Sequence, residues 1–94
     1  MARKVTVALP DGTTASRRTP RHYEFAIVAR RFGTWELQED KSYVVAPIEP
    51  KWEAVAYSRT LRLAEKALIT AMDRFGSLYD GFQISPVQQP ETGK

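Results

Sequence analysis

The 94-residue chain has no cysteine and a single histidine, His22. Without thiols there is neither a disulfide nor a thiolate metal site, and one imidazole leaves most zinc arrangements short of ligands. No stretch approaches the roughly 20 apolar residues of a membrane span. Met1-Ala2-Arg3-Lys4 leads into an alternating segment rather than the apolar run of a secretory signal. Gly12, Gly33, Gly76 and Gly81 are isolated and form no phosphate loop, and no serine sits in a nucleophile elbow. The acids Glu36, Glu39 and Asp40 cluster around a turn without metal-ligand spacing, and His22 lies opposite the Tyr23/Phe25/Ile27 face of its strand, which reads as a surface histidine beside a basic turn rather than a general base. The expectation is a cytoplasmic protein that is not an enzyme, with no cofactor, no metal, no membrane contact and no small-molecule substrate.

The residues that are present describe one small domain. A hydrophobic fraction of 43%, with 11% aromatic, is enough to fold, and 94 residues leave room for one core. The net charge of +3 is unevenly placed. Residues 1–33 hold seven Lys/Arg against two acids, whereas the remaining residues hold seven against nine. Basic character therefore belongs to the first third.

Val5, Val7 and Leu9 alternate with smaller residues as in a half-buried strand, and Pro10-Asp11-Gly12 turns the chain into a polar return arm from Thr13 to Arg18. His22 to Arg31 is the best strand pattern, with Tyr23, Phe25, Ile27 and Ala29 on one face. Phe32-Gly33-Thr34 reads as a tight reversal into a strand at Trp35–Gln38, and Glu39–Ser42 as another turn. Tyr43–Ala46 is a short or edge strand that Pro47 and Pro50 should stop. Trp52–Tyr57 adds a further strand.

Leu61, Ala64, Leu68, Ala71, Met72 and Phe75 then fall on one helical stripe. Ser58 or Thr60 is placed to cap its start, Arg74 suits its last turn, and Gly76 suits a left-handed stop. Asp80-Gly81 reads as a turn before a final strand at Phe82–Ser85. The predicted fold is α+β: an antiparallel sheet of about five or six short strands, hairpins first, one amphipathic helix over about 59–75 on one face, and a final strand. Residues 1–86 form the domain, and 87–94 a flexible tail.

Two surfaces are candidates for function. Leu63 lies on the back of the helix and Ile69 on its flank, while Tyr43, Trp52 and Tyr57, with Trp35, offer more aromatic surface than so small a core needs. These residues point to a protein partner or a homodimer, with an exposed strand edge as a second route to pairing. Arg17, Arg18, Arg21, Arg30 and Arg31 form the alternative, a basic segment over 17–31 whose guanidinium groups would contact phosphates of a nucleic acid. No helix-turn-helix, basic recognition helix or RNP-like aromatic pattern accompanies them.

The run Arg17-Arg18-Thr19-Pro20-Arg21-His22-Tyr23-Glu24-Phe25-Ala26-Ile27-Val28, then Trp35, then Leu63-Ala64-Glu65-Lys66-Ala67, resembles small uncharacterised accessory proteins of actinobacterial phages, over roughly residues 15–75. The segment from Lys41 to Pro50 departs from that pattern. The resemblance brings no catalytic residues; it implies an accessory protein acting in the cytoplasm of an infected bacterium by binding a host or phage macromolecule.

Overall fold

A computed structural model describes residues 3–88, which form five strands and one helix in the order β1 (Arg3–Ala8), β2 (Thr14–Thr19), β3 (Phe25–Leu37), β4 (Tyr43–Ser58), α1 (Leu61–Phe75) and β5 (Tyr79–Gln88). All strand pairs are antiparallel, and the sheet order is β2-β1-β5-β3-β4. The α+β fold expected from the sequence is the one observed, with five strands, two of them long.

The strand that closes the sheet is β5. Along most of its length it pairs with β3, from Arg31↔Tyr79 to Phe25↔Pro86. Its end then passes to β1, where Val7 meets Val87 and Thr6 meets Gln88. The consequence is a sheet curled back on itself. Val5, Val7 and Leu9 of the first hairpin are buried with Ala26, Val28 and Val87, and Ala15, Trp52, Ala54 and Tyr57 pack against them. Because β1 is not a hydrogen-bonded neighbour of β3 or β4, those contacts are made across the face, with the hairpin folded over it. The other face carries the helix: Ile27, Ala64 and Ala71 are buried together, against Phe25, Val55, Ala56, Leu68, Phe82 and Ile84. Strand β3 is the middle layer, so Ala26 to Ala29 are all fully buried although alternate residues point to opposite faces.

The two hairpin turns share one construction. In the first, Leu9 N–H donates to the Thr13 carbonyl, Gly12 N–H to the Leu9 carbonyl, and the Asp11 carboxylate accepts from the Thr13 amide and hydroxyl. In the second, Gln38, Lys41, Asp40 and Ser42 make the same four bonds. The fourth residue of each is left-handed, Gly12 at φ 89° and Lys41 at φ 70°.

The helix spans the expected residues, and Thr60 rather than Ser58 caps it, its Oγ1 accepting from Leu63 N–H at 3.2 Å. Two helix expectations fail. Gly76 ends the helix in a right-handed conformation, at φ −61° and ψ −17°. The buried seam is made of small residues, Ala64 and Ala71 with Ala67 and Leu68 beside them, while Leu61 and Met72 of the expected core stripe are half exposed. Helical periodicity gives an apolar direction, but the floor beneath is narrow, and alanines occupy it.

Three breaks expected in the strands are absent. Strand β3 runs straight through Gly33, where a Cβ would come within 2.7 Å of Val45 Cγ1, so this glycine serves a close strand approach and not a reversal. Strand β4 runs through Pro47 and Pro50 because it is an edge strand. Between Arg31↔Lys51 and Gly33↔Pro47 it spends four residue steps against two on β3, and that irregular stretch absorbs Pro50. Asp80-Gly81 is no turn but a bulge inside β5. Gly81 has φ +66° with Trp52 stacked where its Cβ would be, and the register to β3 shifts there. Val87, expected in the tail, is buried; residues 89–94 of that tail lie outside the described residues.

A candidate protein-binding arm

Strand β5 stops pairing with β3 at Arg31, yet β3 and β4 continue together to the turn at 38–42. Beyond Arg31 the hairpin is therefore a two-stranded arm, and the molecule is elongated, 57 × 26 × 24 Å. The register along the arm is regular: Gly33↔Pro47, Thr34↔Ala46, Trp35↔Val45, Glu36↔Val44, Leu37↔Tyr43. Directly opposed residues share a face, so Trp35, Leu37, Tyr43 and Val45 stand together. Trp35 is 51% exposed, Leu37 59% and Tyr43 62%, values that leave this face uncovered. Trp35 and Tyr43 flank an open depression of about 320 Å³. The other face carries Thr34, Glu36, Val44 and Ala46.

The apolar face is on the helix side of the sheet. The Cβ direction of Gly33 leads to Val45 and to Leu78, just past the helix end. At the base of the arm Arg31 opposes Lys51, and Tyr79 packs edge-on against Phe75 of the helix at 5.7 Å. The Tyr79 hydroxyl donates to Glu53 at 2.8 Å, and Lys51 Nζ lies 3.7 Å from the same carboxylate. Burial and this bond push the Tyr79 phenol above its ordinary pKa. Helix α1 is about 22 Å long at 1.5 Å per residue, and it ends where the arm begins. Leu78 covers the position of Gly33 at the base of the arm, and beyond it Trp35, Leu37 and Tyr43 stand exposed.

The expected interface residues are scattered. Tyr43 belongs to the arm, but Trp52 and Tyr57 are packed beneath the first hairpin. Leu63 and Ile69 are exposed on separate sides of the helix. The arginines divide into two groups. Arg17 stacks over Tyr23 and Tyr57, at 5.9 and 5.5 Å, with Arg18 next to it in β2 and Arg21 just past that strand, its amide donating to Thr19 Oγ1. Arg30 and Arg31 lie toward the far end of the sheet. Arg30 holds Asp80 through two bonds of 2.8 and 2.7 Å, which keep that carboxyl below its usual range. Arg31 donates to the Gly33 carbonyl and to Thr34 Oγ1. One continuous basic surface over 17–31 is not formed.

Leu37 and Val45 were missed as site residues. The signal for them was the alternation Trp35/Leu37 before a turn and Tyr43/Val45 after it, which gives the register once Gln38 and Ser42 are taken to close that turn. Among the described residues no three His, Cys, Asp or Glu side chains are grouped to hold a metal ion, and no helix is long and apolar enough to cross a membrane. Comparison with protein-family models, curated proteins and solved structures returns no match.

Proposed function

We propose that the chain is a non-enzymatic protein-binding module whose contact surface is the helix-side face of the β3–β4 arm. One observation carries this reading: Trp35, Leu37, Tyr43 and Val45 form a contiguous apolar face that serves neither core. Contiguous exposed apolar surface is unfavourable in water unless something covers it, and Trp and Tyr are the residues that most often anchor protein contacts. The role fits the small phage accessory protein that the sequence resembles, for which binding to a host or phage macromolecule is the expected mode of action. Nucleic acid is the weaker reading, because the arginines expected to contact it are split between two sites and three of the five are held by Tyr, Asp, Thr or backbone groups.

The test is capture on immobilised protein from lysate supplemented with a second, differently tagged copy of the chain. Trp35→Ser/Tyr43→Ser should lose a bound species that both wild type and Leu63→Ser retain, with circular dichroism unchanged. Retention of every bound species by the arm variant would count against the arm.

A further inference from the structure

We propose that the occupant of the arm is a second copy of this chain, paired arm against arm about a twofold axis passing near Trp35 and Val45. This rests on the protein-binding reading and names its partner.

Charge chooses the arrangement. The tip of the arm carries Glu39 and Asp40, with Lys41 between Asp40 and the returning strand, and the base carries Arg31 opposed to Lys51, with Glu49 and Glu53 alongside. Trp35 is midway between Glu39 and Arg31 along the strand. A twofold axis there lays the apolar face of one arm on that of the other and brings Glu39 of each copy to the Arg31–Lys51 pair of its partner. Parallel stacking would instead set Glu39 against Glu39 and Arg31 against Arg31. Complementary charge of this kind fixes register and orientation more than it adds affinity. Glu53 partly occupies Lys51 in the free chain, at 3.7 Å, a loose contact that an incoming carboxylate competes with.

The area suits a weak, reversible dimer. Large aromatics expose about 150–250 Å² each when fully open and Leu and Val less, so these four partly exposed side chains offer roughly 400 Å² per copy. An isologous contact counts that surface twice, and the tip-to-base contacts must supply the rest of the roughly 1,000 Å² that a specific interface requires. Edge-to-edge strand addition is the competing geometry: Pro47 and Pro50 remove backbone donors from the β4 edge, and pairing along the free β3 edge beyond Arg31 would leave the apolar faces uncovered.

The absence of cysteine makes the test clean. Under mild oxidation Val45→Cys, close to the axis, should give a covalent dimer, whereas Ile69→Cys, 70% exposed on the helix, should not. Light scattering over a concentration series should show a reversible dimer that Trp35→Ser/Tyr43→Ser renders monomeric with an unchanged circular dichroism spectrum. Glu39→Lys and Lys51→Glu should each weaken the dimer roughly three- to tenfold, and the two together should restore it. Equal cross-linking at residue 69, or a dimer indifferent to the Trp35/Tyr43 variant, overturns the proposal. If the chain stays monomeric at millimolar concentration while capture of a different protein still depends on Trp35 and Tyr43, the second copy is excluded and the protein-binding reading stands. Loss of both removes both.

Discussion

Lys41 occupies a position that its own chain fills with glycine elsewhere. Gly12 and Lys41 take the same left-handed place in two turns with the same hydrogen bonds, but only glycine does so without crowding between Cβ and the backbone. Lys41→Gly should therefore stabilise the hairpin tip, by about 0.5–1 kcal/mol after the extra unfolded-state freedom of glycine is counted. Denaturant unfolding of a monomeric Trp35→Ser/Tyr43→Ser background would read this out, and a loss of stability would contradict it. The lysine is costly where it stands, yet it puts a cation beside Glu39 and Asp40 and softens their mutual repulsion. The similarity of the two turns was only half visible in the sequence: Asp11 and Asp40 stand two residues before Thr13 and Ser42, but nothing local says that Lys41 would adopt a glycine's backbone angles.

At the scale of elements, the helix was the most legible part and β4 the least. Helix start and length follow from local chemistry, a capping threonine and a 3.6-residue period, and these survive in any tertiary context. Thr60→Ala should cost about 1 kcal/mol, because Leu63 N–H then loses its side-chain acceptor. A thermal midpoint unchanged in that variant would show the cap to be redundant. Which helix residues are buried is a tertiary matter, and there periodicity was right only in part: of the expected stripe Ala64 and Ala71 form the seam, whereas Leu61 and Met72 look like core and are not. Strand breaks misled for a related reason. Proline and glycine have their strongest effect in a central, regular strand. Pro47 and Pro50 lie on an edge, Gly33 at a close strand approach and Gly81 in a bulge, and the sheet accepts each without interruption. Reading them as stops split one long hairpin into pieces and hid the arm, and with it the pairing of Trp35 with Val45.

The whole molecule divides into a body with two small cores and an arm that belongs to neither. A compact chain of this length would have a radius of gyration of about 12 Å; this one has 15.3 Å. Replacing residues 34–46 by a two-residue turn joins Gly33 to Pro47, which already face each other. The shortened chain should keep its unfolding midpoint within a few degrees and lose roughly 15–20 Å of maximum dimension, measured by calorimetry and small-angle scattering. A large fall in the midpoint would mean that the arm supports the body.

Because β5 ties the two parts of the sheet together, the fold is also a matter of timing. The β1–β2 hairpin is made first, yet its covering strands come later, and the strand that clamps it to β3 begins at Tyr79. At about 5–20 residues per second of synthesis, Val5, Val7 and Leu9 spend about 4–14 seconds as the uncovered side of a nascent ribbon. Arg17 and Arg18 put two positive charges on the outer strand of that ribbon, and charge on an edge strand opposes its pairing with other chains.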